Sequence, residues 1–141
     1  MSGFLLDTNV ISELVRPRPN PRVTHWLDSI DEELLFLSVL TLGEIRKGIT
    51  ALAASARKVR LEAWLSGGLI PRFESRILAI DQAIAERWGQ ITASLAAQGT
   101  PLPVIDGLLA ATALDHNLTL VTRNTRDVSL TGVAVFDPWA G

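Results

Sequence analysis

Phe4-Leu5-Leu6-Asp7-Thr8-Asn9 is a short apolar run that ends abruptly in a carboxylate and two small polar residues. An apolar run of this length, followed by helical spacing, predicts a buried strand whose C-terminal end delivers Asp7 to the start of a helix. In open α/β sheets that end of a strand is where ligands bind. Val10, Ile11, Leu14 and Val15 carry the helical spacing, with Thr8 or Asn9 as N-cap, and Arg16-Pro17-Arg18-Pro19-Asn20-Pro21 stops it.

Working outward, the same alternation recurs. A second helix starts at Pro21 and buries Val23, Trp26, Leu27 and Ile30. Asp31-Glu32-Glu33 reads as a solvated turn, Leu34-Leu35-Phe36-Leu37 as a second buried strand, and Ser38 as the cap of the next helix. The segment from Ser38 is helical in pattern, as two helices broken near residues 53–55, with Gly67-Gly68 as its terminator. Ile77-Leu78-Ala79-Ile80 is the third strand and Asp81 caps another helix, whose Ile84, Trp88, Ile91 and Leu95 give the clearest amphipathic spacing in the chain. Residues 104–114 are apolar on nearly every side, which predicts a deeply buried helix ended by Asn117 in a left-handed cap. Strands at residues 118–122 and 133–136 complete the set. Strands alternating with helices on this scale imply an α/β fold, three layers α/β/α, with a mostly parallel sheet of four to five strands.

At 141 residues the chain fits one domain, 1–141, with a sizeable core. It is 48% hydrophobic, with a mean hydropathy of +0.27, so a partner or a second copy is expected to cover extra apolar surface. No apolar run reaches membrane-spanning length, and the N-terminus has no basic stretch followed by a long apolar segment; the expectation is a cytoplasmic protein with no membrane contact. Cysteine is absent, which excludes disulfides and thiolate metal sites. A net charge of -2 excludes a generally basic nucleic-acid-binding surface but not a local basic patch.

Most of the fifteen carboxylates lie in wet positions, and three do not. Asp7 follows Phe-Leu-Leu, Glu44 lies inside SVLTLGEI, and Asp106 lies inside PVIDGLLAA. Taken singly, Asp7 and Asp106 read as helix caps and Glu44 as an exposed partner of Arg46 or Lys47. Taken together they call for a common cause, because an isolated carboxylate in apolar surroundings is costly. Two carboxylates about 4 Å apart repel by roughly 4 kcal/mol at an effective dielectric of 20. A hard divalent cation removes that penalty, and ligation by oxygen alone points to Mg²⁺ or Mn²⁺.

The stretches LLDTNVISEL, SVLTLGEIRKGI and PVIDGLLAATALDHNLTLVTRNTRDV, in that order over nearly the whole chain, resemble the PIN-domain ribonucleases, specifically the toxins of VapBC- and FitAB-type toxin-antitoxin pairs. The resemblance implies a PIN-like fold with acids at the strand ends and metal-dependent cleavage of RNA. Carried over residue by residue, Asp7, Glu44 and Asp106 match the family's three principal acids. The fourth position is Asn124, where many members have Asp. An amide oxygen still accepts or holds water but brings no charge, so one metal is expected and a second depends on substrate. Asp127, three residues on, reads as a loop cap. Thr8, Asn9 and Thr122 match the small polar residues around the acids.

The mechanism expected is attack on phosphorus by metal-activated water, leaving a 5'-phosphate and a 3'-hydroxyl. His25 and His116 read as structural or surface residues. Arg46, Lys47, Arg123 and Arg126 flank the acids and would give a cationic rim for RNA phosphates, with Arg46 and Arg123 the better choices. Arg57, Lys58 and Arg60 read as solvated surface. Trp26, Leu27, Ile49 and Leu52 are either core or an apolar surface for a partner. The partners the resemblance implies are a cognate DNA-binding antitoxin and a second copy of the chain. Two other readings stand beside this one: a non-catalytic PIN-fold module that binds RNA or protein, and a receiver-like phosphoacceptor with Asp7 as the acceptor. The latter lacks a second Asp two residues after Asp7 and a lysine at the end of a late strand, where this chain has Thr122 and Arg123.

Overall fold

Strand β1 (Phe4–Leu6) runs into helix α1 (Thr8–Glu13) through Asp7, which sits at the N-cap. The computed structural model describes residues 3–140, so positions 1, 2 and 141 of the expected domain span lie outside the described residues. Beyond α1 come α2 (Pro21–Ser29), β2 (Leu35–Ser38), α3 (Val39–Thr50), α4 (Ala56–Trp64) and α5 (Ile70–Phe73). They are followed by β3 (Ile77–Leu78), α6 (Gln82–Ala97), α7 (Val104–Asp115), β4 (Thr119–Val121), α8 (Thr125–Val128) and β5 (Val135–Phe136).

The five strands form one sheet in the order β3-β2-β1-β4-β5, and every adjacent pair is parallel. This order differs from the 2-1-3-4-5 arrangement of receiver-like folds, which removes the phosphoacceptor reading. Because side chains alternate along a strand, Leu6, Leu35, Leu37 and Val121 enter one apolar cluster while Leu5, Phe36 and Leu120 enter another. Helices α1 to α5 supply the first cluster, through Val10, Val23, Leu27, Ile49 and Phe73 among others; α7 and α8 supply the second, through Leu109, Ala110, Ala113 and Val128. Both faces of the sheet are therefore covered, the condition under which parallel sheets form.

Helix α7 lies between the sheet and α6, which explains its apolar circumference. Gly107 makes the close approach possible: a Cβ there would lie 3.1 Å from the indole of Trp88 on α6. Asn117 ends this unit with φ of 55°, the left-handed cap its sequence predicts.

The N-cap of α1 is Asp7 and not Thr8 or Asn9, and two larger expectations also fail. Gly67-Gly68 does not end the helical segment; the chain continues through a π-helical turn, Leu65–Leu69, into α5. Leu65, Leu69 and Phe73, four residues apart and each about 1% exposed, hold the helical course. Burying each contributes about 1.5–3 kcal/mol, more than the roughly 1 kcal/mol each glycine costs. The second failure is Asp31-Glu32-Glu33, which is more than a solvated turn. Glu32 accepts a bidentate pair of hydrogen bonds from Arg72 (2.9 and 2.9 Å) and another from Arg76 (2.9 Å), and both guanidiniums lie over the Phe73 ring. Strands β3 and β5 are also shorter than their apolar runs, because Asp81 caps α6 immediately after Ile80 and Val133 packs into the core before β5 begins.

Candidate functional site

The strand order reverses between β1 and β4, and in such sheets ligands bind beyond the carboxyl ends of that pair. Asp7 leaves β1 at this point. Its backbone N–H continues the ladder to the carbonyl of Val121 on β4 at 2.9 Å, so the position of Asp7 is set by the sheet. Its side chain accepts two hydrogen bonds, at Oδ1 from the Thr8 N–H (2.7 Å) and at Oδ2 from the Thr122 hydroxyl (2.7 Å). The first is the N-cap of α1.

Those contacts extend into one chain of hydrogen bonds. Thr8 donates its hydroxyl to Oε1 of Glu44 on α3, at 2.5 Å. On the other side, the Thr122 hydroxyl accepts from the Asn124 N–H (3.1 Å), and Nδ2 of Asn124 donates to Oδ2 of Asp106 on α7 (3.1 Å). Glu44, Thr8, Asp7, Thr122, Asn124 and Asp106 thus connect in series, although they come from five elements or junctions spread over the chain. A network satisfied in this way fixes the orientation of each member.

Electrostatically the acids are not at rest. Burial pushes the Asp7 carboxyl above the usual range, the hydrogen bonds from Thr122 and Thr8 oppose this, and the charges of Asp106 and Glu44 push it up further. Asp106 is also raised, first by burial, against the Asn124 hydrogen bond, and then by Glu44 and Asp127. Asp127 on α8 therefore bears on the site through its charge, in addition to any loop-capping role. All three acids line one open cleft of about 450 Å³.

The cleft also receives Thr8, Asn9, Arg123 and Asn124 from the sequence-derived set. Oδ1 of Asn9 is buried and has no hydrogen-bond partner among the described residues. Thr122 is buried beneath Asp7 and acts on it from below. Arg46 is exposed on α3 and is not part of the cleft lining. Trp26, Leu27 and Ile49 belong to the core: Trp26 packs edge-on against Phe4 and beside Phe136, while Leu27 and Ile49 are buried. Leu52, together with Ile49, lines a second, largely apolar groove of about 270 Å³ with Val15, Leu61 and Trp64. This groove adjoins the cleft through Thr8, Ser12, Arg16 and Glu44, and the exposed Arg57 stands at its edge.

Four cleft residues escape the sequence reading: Ser12, Glu13, Arg16 and Trp139. Glu13 is 3% exposed; its Oε1 accepts from the Asn20 N–H (2.7 Å) and its Oε2 pairs with Arg16 (3.4 Å). Its setting in VISELV meets the same criterion, an acid on an apolar face, that singles out the other three. Arg16 follows as its partner. Trp139 carries no such signal, because only the return of the C-terminal segment past β4 brings it to the cleft.

A divalent cation suits these donors in one particular manner. Among the described residues, no three His, Asp or Glu side chains are gathered tightly enough to cage an ion by themselves. Asp7 and Asp106 nevertheless face one cleft with oxygens that retain free lone pairs, and both carboxyls are raised, with no cation to offset their burial. One or two carboxylates completed by water and phosphate oxygens is the usual way Mg²⁺ is held, whereas an all-protein cage is not.

A family profile described as the PIN domain matches residues 4–132. The toxin FitB of Neisseria gonorrhoeae is 43% identical over 136 residues, covering 96% of this chain and 98% of that protein. The VapC ribonuclease Y4jK of Sinorhizobium fredii is 33% identical over 136 residues, covering 96% and 97%. Among solved structures, FitAB bound to an IR36 DNA fragment contains a chain that superposes with a TM-score of 0.92 at 41% identity, covering 96% of this chain and 95% of that one.

Proposed function

Because the chain belongs to the PIN-domain family, we propose that it is a metal-dependent endoribonuclease, the toxin of a toxin-antitoxin pair, acting in the cytoplasm. The observation that carries this reading is the hydrogen-bonded series that presents Asp7, Glu44 and Asp106 to one cleft at the reversal of strand order. This chemistry agrees with that of relatives named as ribonucleases, such as Y4jK.

Asp7 and Asp106 would hold Mg²⁺ or Mn²⁺, directly or through water. When bound, the ion supplies acidification of water and polarisation of the phosphate. Asp7 is kept in place by Thr8 and Thr122, and Asp106 by Asn124. Glu44 has Oε1 engaged by Thr8, which leaves Oε2 to orient the attacking water and receive its proton. Displacement of the 3'-oxygen leaves a 5'-phosphate and a 3'-hydroxyl. Asn9 and Arg123 face the same space and suit the sugar-phosphate strand. A second ion at Asn124 depends on oxygens that the RNA brings, since the amide adds no charge.

The partner reading rests on the apolar groove beside Glu44. FitB is named as a toxin, and the matching solved chain is part of a FitAB complex on DNA. A cognate DNA-binding antitoxin lying along this groove would cover the excess apolar surface and reach the cleft through the shared Arg16–Glu44 wall. A pair of such chains would assemble with it. The deciding experiment is incubation of the purified chain with cellular RNA and Mg²⁺, with the new ends mapped. New 5'-phosphate ends that vanish in Asp7→Asn support the reading; an RNA pool left intact by the wild type overturns catalysis and favours the non-catalytic module.

A further inference from the structure

Arg123 lies between two residues that are already committed. Thr122 on one side bonds Asp7, and Asn124 on the other bonds Asp106, so its backbone is pinned between the hydrogen-bond partners of both acids. An arginine placed so close to three carboxylates would be expected to fold onto them. It does not: among the described residues Arg123 forms no ion pair, and its guanidinium carbon lies 5.1 Å from the ring centroid of Trp139. A ring face attracts the cation without consuming its N–H donors, whereas a carboxylate would occupy them.

Trp139 is itself held by several contacts. Asp137 accepts from its N–H at 2.8 Å, Arg22 donates to its carbonyl at 3.2 Å, and Pro138 before it is buried. The Thr122 N–H donates to the carbonyl of Phe136 at 3.0 Å, which ties this turn to the end of β4. Both Trp139 and Arg123 line the acid cleft.

We propose that Trp139 is a positioning residue of the site: its indole holds the Arg123 guanidinium at the cleft mouth, away from the acids and free to bind a phosphate of the RNA strand. This rests on the ribonuclease reading for the identity of the strand. The C-terminal turn is then a part of the substrate-binding wall.

The test is binding of a fluorescein-labelled single-stranded oligoribonucleotide to the Asp7→Asn chain, read by anisotropy across a series of KCl concentrations. Trp139→Leu keeps an apolar contact with the core but has no ring face. It is expected to weaken binding roughly threefold to tenfold. The slope of log affinity against log salt should fall by about 0.7, the loss of one phosphate contact to a single strand. Trp139→Phe should restore most of the affinity. In an Arg123→Gln background, Trp139→Leu should add nothing. Unchanged binding in Trp139→Leu, or its full effect without Arg123, overturns the proposal. Wild-type cleavage with Mg²⁺, run in parallel, separates the two readings: cleavage with unaltered binding in Trp139→Leu sinks only the role of Trp139, whereas RNA that is bound but never cut sinks only the nuclease. A reference chain that binds no RNA sinks both.

Discussion

Glu32 and Asp7 are both carboxylates at the margin of the first apolar cluster, and their surroundings drive them in opposite directions. Glu32 is 46% exposed and meets two arginines, which hold its carboxyl well below the usual range, at about 2. Asp7 is mostly buried, forms no ion pair among the described residues, faces two more acids, and is raised. The first arrangement closes a structural contact between the turn before β2 and α5. The second leaves a deficit of positive charge, which a ligand can fill. A carboxylate whose charge is satisfied within the fold holds structure; one whose charge is left unanswered, in a cleft and fixed by neutral hydrogen bonds, is equipped to act on something else.

The contrast can be broken most severely at the cleft. Asp7→Asn or Asp106→Asn should lower RNA cleavage by more than about 10²-fold, while removing a source of repulsion from the folded state. Assays of cleavage and of thermal unfolding on the same preparations should therefore move in opposite directions. Next in size is the response to metal. Mg²⁺ at a hundredfold excess over its dissociation constant should stabilise the wild type by about 2.7 kcal/mol, seen as a rise in Tm, and should do little for either variant.

At the other site, Glu32→Ala should cost about 1–2 kcal/mol in denaturant unfolding and leave cleavage per folded molecule unchanged. The pH dependence then separates the two regions. Glu32 has a lowered folded-state pKa, so its contribution is present above the ordinary value and is lost as pH falls toward about 2; with solvent screening of a half-exposed group this amounts to ~1 kcal/mol. Asp7 and Asp106 are raised, so without metal they destabilise the fold increasingly as pH climbs through their folded-state values. Metal-free unfolding between pH 2 and 7 should lose its acid limb in Glu32→Ala and its upper decline in the cleft variants. The smallest expected change is Asn124→Asp. It replaces the donor to Asp106 with a fourth charge, so metal-free stability should fall by about 1 kcal/mol while the stabilisation by Mg²⁺ grows.

Much of this was legible in the chain. Alternating apolar runs and helical spacings gave the parallel sheet and its layers, because burial on both faces imposes a pattern every few residues. The acids at 7, 44 and 106 stood out because apolar neighbours make an unpaired charge costly. Glu13 meets the same criterion. Other misses had no local signal. Glu32 acquires its arginines from 40 and 44 residues away, and the continuation past Gly67-Gly68 depends on Leu65, Leu69 and Phe73 finding a core that only the folded sheet provides.

What the sequence determined by itself is the inventory: which segments bury, where each ends, and which charges are out of place. Tertiary structure decided adjacency. It set β4 beside β1, which joined the acids through Thr8, Thr122 and Asn124, and it returned Trp139 to the cleft beside Arg123. The physical reason is that local patterns record the cost of burying or exposing a group, whereas the partner that offsets that cost is fixed only when strands 115 residues apart exchange their hydrogen bonds. Asp7 could be recognised as a carboxylate in need of a counter-charge from its neighbours in the chain; that the fold withholds one could be seen only once the sheet had closed.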